Sequence, residues 1–130
     1  MILLDTHVAL WLALDPGKLS RLAVSAIELA RGKGLDIAIS CASLYEIARI
    51  VHRGRVDLDV SLEELFDQFS LRLSIRGLTP SIALLAARLP SDFPGDPMDR
   101  IIAATALAER IPLVTADQRI RRSRAVKTIW

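Results

Sequence analysis

At 130 residues the chain is long enough to bury one hydrophobic core without staples, and 52% apolar with 25% charged residues excludes a disordered chain. Lys and Arg number 17 against 15 Asp and Glu, a net charge of +2, which excludes nucleic-acid binding through bulk charge alone. The longest apolar runs, such as Ile82 to Ala87, fall far short of the ~18 residues of a membrane span. Cys41 has no partner within the chain, and Met1-Ile2-Leu3-Leu4-Asp5 opens without a basic leader. A reducing, cytoplasmic setting is the expectation.

The predicted elements alternate between short apolar runs and helical periodicity. Met1 to Leu4 reads as a buried strand stopped by Asp5, and a helix begins near Thr6. Pro16-Gly17 marks a turn. Leu19, Leu22, Ala23, Ala26, Ile27 and Ala30 recur at helical spacing until Gly32 and Gly34 end the run. Asp36 to Ser40 is a second buried strand, followed by a helix through His52 that stops near Gly54. Ser61, with Glu64 three residues on, opens another helix striped by Leu62, Leu65, Phe66 and Phe69. The alternation of Leu71, Leu73 and Ile75 predicts a strand. Thr79-Pro80 starts a helix with Ile82, Leu85, Ala86 and Leu89 toward the core. Pro90 to Gly95 is a loop, Asp96-Pro97 starts a helix to about Glu109, and Pro112 to Thr115 is a strand. Asp117 to about Arg122 is a short helix, and Val126 to Trp130 a last strand.

Strands separated by helices imply right-handed crossovers and a mostly parallel sheet covered on both faces. The expectation is a single α/β domain over residues 1–130, a three-layer α/β/α sandwich. In such folds the working site lies at the carboxyl ends of the strands. Asp5 follows the first strand, Glu46 sits early in the helix after the second, Asp99 lies in the first turn of the Asp96-Pro97 helix, and Asp117 follows Thr115 by two residues. Each has a structural reading as a helix cap or part of a capping box, as in Ser43-Leu44-Tyr45-Glu46 and Asp96-Pro97-Met98-Asp99. Gathered at one sheet edge they repel, and a divalent cation relieves the repulsion. All-oxygen ligation favours Mg2+ or Mn2+, and Cys41, His7 and His52 are not at zinc-ligand spacing. Such an ion acidifies bound water for attack on phosphorus. No nucleophile elbow and no glycine-rich phosphate loop is present, which excludes a nucleoside triphosphatase and a dinucleotide enzyme.

Ile2-Leu3-Leu4-Asp5-Thr6-His7, Ser43-Leu44-Tyr45-Glu46-Ile47, Asp96-Pro97-Met98-Asp99-Arg100 and Val114-Thr115-Ala116-Asp117, in this order, resemble the PIN-domain nucleases, and among them the VapC-type toxins of bacterial toxin–antitoxin pairs. The resemblance covers essentially the whole chain. It implies a PIN-like fold and an endoribonuclease dependent on Mg2+ or Mn2+. It also implies the toxin role in a type II pair, RNA as substrate, a cognate VapB-type antitoxin and a homodimer. Asp5, Glu46, Asp99 and Asp117 match the family's acidic quartet, with Thr115, Asp96 and Thr6 as supporting residues. Asp5 and Asp99 are assigned as direct ligands, with Glu46 and Asp117 completing the shell. Phe93-Pro94-Gly95 stands where many relatives carry a histidine. A non-catalytic PIN-fold module that binds RNA or protein is the alternative.

The other chemistry-bearing residues have ordinary readings. Arg100 is read as a structural ion-pair partner, His7 and His52 as surface or helix-end histidines, and Cys41 as a small buried residue. Trp11 and Tyr45 fit either base stacking or packing. Arg110, Arg119, Arg121, Arg122, Arg124 and Lys127 crowd the C-terminal end. They form either a solvated surface or a basic margin for phosphates.

Overall fold

A computed structural model describes all 130 residues. In chain order the elements are β1 (Ile2–Leu4), α1 (Thr6–Leu14), a 3-10 turn (Pro16–Lys18), α2 (Arg21–Gly32), β2 (Ile37–Ser40), α3 (Cys41–His52), α4 (Leu62–Arg72), β3 (Ser74–Arg76), α5 (Pro80–Arg88), α6 (Pro97–Glu109), β4 (Leu113–Val114), α7 (Gln118–Ser123) and β5 (Thr128–Ile129).

Local chemistry starts α4 and α5 where the sequence indicates: the side chains of Ser61 and Thr79 accept from the backbone N–H three residues on, at 3.1 and 3.2 Å. Ser20 caps α2 in the same way at 3.1 Å, so that helix begins at Arg21 and Leu19 lies outside it. Pro80 and Pro97 occupy first-turn positions that need no N–H. Gly34 (φ 64°) and Gly54 (φ 69°) turn the chain out of α2 and α3 through the left-handed region.

The five strands form one sheet in the order β3-β2-β1-β4-β5, every pair parallel. Alternation along the strands splits the core into two layers. Ile2, Leu4, Ile37, Ile39 and Val114 meet Val8, Ala23, Ile27, Leu65 and Phe69 of α1, α2 and α4. Leu3, Ala38 and Leu113 face Ile102, Ala103, Ala106 and Ile120 of α6 and α7. Helix α3 serves both layers, Ile47 in the first and Ala42 in the second. The molecule is therefore a three-layer α/β/α sandwich with an all-parallel sheet. No helix is long and apolar enough to cross a membrane. Ile102 is fully buried on the helix that carries Asp99. Ile102→Ala is expected to cost ~3 kcal/mol, read by urea denaturation, because the sheet cannot collapse into the void.

Three local readings are corrected. Leu71 is not in a strand: it closes α4 and is 86% exposed, and β3 begins only at Ser74. Ser43 is not a helix cap. Ser40, the last residue of β2, accepts from Ala42 N and starts α3 with no intervening loop, which leaves Ser43 buried within the helix. The last strand pairs only at Thr128 and Ile129.

Candidate active site

Parallel register sets the floor of the site. Leu4 pairs with both Ile39 and Val114, so the chain leaves β1, β2 and β4 side by side at one edge. Asp5 follows Leu4 and is buried. Its Oδ1 accepts from Thr6 N at 2.8 Å and its Oδ2 accepts from the Thr115 hydroxyl at 2.6 Å. The same Thr115 oxygen accepts from Asp117 N at 3.1 Å. One buried hydroxyl thus fixes two of the predicted acids. On the β2 side the Thr6 hydroxyl donates to Glu46 Oε1 at 2.6 Å, and Ser43 Oγ lies 3.0 Å from it. The supporting roles expected of Thr6 and Thr115 thus take a definite form: each holds a carboxylate in one orientation.

Helix α6 brings two more acids from the opposite layer. Asp96 caps it, accepting from Met98 N at 2.8 Å and Asp99 N at 3.3 Å. Carboxylate oxygens of Glu46, Asp96 and Asp99 lie within 4.8 Å of one another. Asp96, expected mainly as a cap, therefore also belongs to the acid cluster. Asp5, Thr6, Glu46, Asp96, Asp99 and Asp117 line one concavity, together with His7, Trp11, Ala116 and Arg119. All four acids of the predicted quartet line it, but of the four only Glu46 and Asp99 belong, with Asp96, to the group whose oxygens lie within 4.8 Å of one another.

The electrostatics follow from burial and crowding. Asp99 is pushed up to about 7, first by burial and then by the charges of Asp5, Asp96, Glu46 and Asp117. Burial raises Asp5 against the opposing bonds from Thr115 and Thr6. Burial also raises Glu46, with the Thr6 bond opposing and Asp5 and Asp96 adding to the rise. Asp117 differs. Its partial burial favours the neutral form, but side-chain and backbone bonds from Arg119 outweigh that and hold it below the usual carboxylate range.

Arg119 is the residue that sequence reasoning missed, having counted it only among the C-terminal basic residues. Its guanidinium lies 3.0 Å from Asp117 and 3.8 Å from Asp99, while 68% of its side chain stays exposed. The sequence signal was the Asp-x-Arg spacing at the start of a short helix. Arg100 is corrected: its partners are not carboxylates but the backbone carbonyls of Ala86 (3.0 Å), Leu89 (3.1 Å) and Pro94 (3.5 Å), which ties the end of α5 and its loop to α6. His7 is exposed, with its ring centroid 5.9 Å from Trp11, and Trp11 packs at 5.7 Å on Trp130. Tyr45 is exposed outside this concavity, with Arg49 over its ring. Cys41 is half-buried, not fully enclosed.

The donor set fits a hard divalent cation. The acids supply only oxygen, no thiol joins them, and five carboxylates line the concavity against the single arginine Arg119. A carboxylate-lined site at the strand ends of a parallel α/β/α sandwich defines a class of divalent-cation sites. Residues 2–125 match the PIN domain family, and the chain belongs to that family. It is 39% identical to Ribonuclease VapC22 of Mycobacterium tuberculosis (strain ATCC 25618 / H37Rv) over 131 residues, covering 99% of this chain and 98% of that protein. The fold is shared with the VapBC2 complex of Rickettsia felis bound to a promoter DNA fragment, with TM-score 0.73 and 23% identity over 98% of this chain and 97% of that one. It is shared also with the DNA-bound VapBC of Salmonella typhimurium, with TM-score 0.70 and 17% identity over 98% and 95%.

Proposed function

We propose that the chain is an endoribonuclease dependent on Mg2+ or Mn2+ and the toxin component of a type II toxin–antitoxin pair, acting in the cytoplasm as a homodimer. The observation that carries this reading is the gathering of carboxylates at the strand ends, with oxygens of Glu46, Asp96 and Asp99 within 4.8 Å of one another and Asp5 and Asp117 in the same concavity. The near-full-length identity to a ribonuclease supports it.

In this reading Asp5 and Asp99 would be direct ligands of the cation, with Glu46 and Asp117 completing the shell. When bound, the cation supplies Lewis-acid chemistry, acidifying water and stabilising charge on the phosphate. Thr115 and Thr6 keep Asp5 and Glu46 from rotating, so little reorganisation remains for the reaction itself. With a cation held there Asp99 would be ionised, its proton passing to solvent, and Arg119, already exposed, would be free to turn to a phosphate oxygen. A VapB-type antitoxin would silence the site by placing a basic side chain among the acids, where Arg119 now sits.

Cleavage of an end-labelled structured RNA tests the reading. Cutting is expected with Mg2+ or Mn2+, and is expected to vanish in EDTA and in Asp5→Asn. Cutting that survives both overturns the metal-dependent mechanism. No cutting, together with no thermal stabilisation by either ion, favours the non-catalytic binding module.

A further inference from the structure

The C-terminal arginines other than Arg119 do not serve the carboxylate site. Arg121, Arg122 and Arg124 line a separate groove with Gln118 and Thr128, between α7 and the edge strand β5, with no apolar residue in its wall. All three arginines are exposed and none meets a carboxylate. Arg122 donates to Gln118 Oε1 at 3.2 Å, but no carboxylate offsets the three guanidinium charges around this one concavity, which favours an anion between them. Arg124 ends α7 in the left-handed region, at φ 54°, as Arg110 ends α6 at φ 56°, a helix-end geometry that glycine adopts without cost.

The groove is also placed for substrate. Gln118 directly follows Asp117, an acid of the cleavage site, and α7 is six residues, about 9 Å, long. A strand held at the carboxylates reaches the groove within about two or three nucleotides.

Building on the ribonuclease reading above, we propose that the α7–β5 groove binds the phosphate backbone of single-stranded RNA and holds the substrate strand on one side of the cleaved bond. Its selectivity is for the spacing of phosphates and not for bases, because no aromatic or amide-rich wall faces it beyond Gln118.

Fluorescence anisotropy of a labelled oligouridylate, in EDTA so that the strand stays intact and over a series of KCl concentrations, tests this. The triple variant Arg121→Gln, Arg122→Gln, Arg124→Gln is compared with a charge-matched control, Arg21→Gln, Arg53→Gln, Arg88→Gln. The groove variant is expected to lose about tenfold in affinity and about 2 in the slope of log K against log salt, as three lost single-strand phosphate contacts require. The control is expected to keep nearly the parent slope. Equal losses in the two variants reduce the effect to net charge and overturn the groove. Unchanged binding in the groove variant overturns it too, and leaves the arginines to an acidic protein segment. Arg124→Gly separates folding from binding: its melting temperature is expected to rise by about a few degrees while affinity falls. A stabilised variant with full affinity removes Arg124 from the site. Metal-dependent cleavage by the unsubstituted protein decides the ribonuclease reading separately. Cleavage without a groove effect sinks only the groove, whereas a groove effect without cleavage sinks the ribonuclease reading and the groove's place beside a cleaved bond, and leaves phosphate binding standing.

Discussion

Asp99→Asn is expected to abolish RNA cleavage and, in EDTA at pH 8, to make the protein more stable than its parent. The two effects have one cause. Burial and four neighbouring carboxylates raise the Asp99 pKa to about 7, whereas the same group in the unfolded chain titrates at about 3.9. The folded state therefore holds this proton more tightly than the unfolded state does. Stability falls as pH rises from about 4 to about 7, and stays low above that. Asparagine carries no charge and escapes the loss. The gain is expected to be about 2 kcal/mol at pH 8 and to vanish near pH 4, with only a small offset from the contact to Arg119, which is largely exposed. Thermal melts at pH 4 and pH 8 measure it. Activity with saturating Mn2+ is expected to fall about a thousandfold, the several kcal/mol that a lost ligand removes from transition-state stabilisation. A variant no more stable than the parent at pH 8 means that the acids are not crowded in solution, and the case for a cation site fails with it.

Thr115→Val, nearly isosteric, is expected to do the opposite to stability. It removes the donor to Asp5 Oδ2 and the acceptor of Asp117 N in one step. Asp5 is buried and Asp117 half-buried, and an unsatisfied buried polar group costs ~1–3 kcal/mol. Asp5 loses a bond that opposes the effect of burial, so its pKa rises further. The expected result is a loss of ~2 kcal/mol by urea denaturation and a 10- to 100-fold drop in Mn2+ affinity, the usual size of a supporting-residue effect. Thr115→Ser retains the hydroxyl and should restore Mn2+ affinity. If valine is tolerated and serine brings no gain, Thr115 is core packing and not a support for the site.

Local signals in the sequence carried the reading of most elements because they coincide with the chemistry of chain starts and stops. Ser61 and Thr79 cap where they are expected to, and Pro97 sits at the head of α6. Asp5, Asp96, Asp99 and Asp117 were readable for the same reason, since each stands next to a strand end or in the start of a helix, whereas Glu46 lies in the second turn of α3. What escaped needed contacts distant in sequence. Ser43 and Glu46 satisfy a capping-box pattern, yet β2 runs directly into α3 and both side chains turn to Thr6, 37 and 40 residues away. Leu71, Leu73 and Ile75 alternate as a strand would, but Leu73 alone is buried and Leu71 is the exposed end of a helix. Arg100 follows an acid and looked like an ion-pair partner. The carbonyls it binds belong to residues 6 to 14 positions away, and their convergence depends on how α5 packs against α6. Arg119 was visible as charge but not as a neighbour of Asp99, because α6 and α7 meet only in three dimensions.

Three of the site's carboxylates, Asp5, Asp96 and Asp117, are also the N-caps of α1, α6 and α7. Each spends one oxygen on main-chain N–H groups; the other is free of its own helix in Asp5 and Asp96, while in Asp117 it accepts from the Arg119 guanidinium at 3.0 Å. Charge and helix nucleation are therefore written in the same atoms. Alanine at any of the three confounds two losses, since removing a cap alone costs about 1 kcal/mol, whereas asparagine caps a helix as well as aspartate and deletes only the charge. The same coupling constrains how the chain can vary: a lineage that abandons catalysis sheds the negative charge at these three positions more readily than the side-chain oxygen.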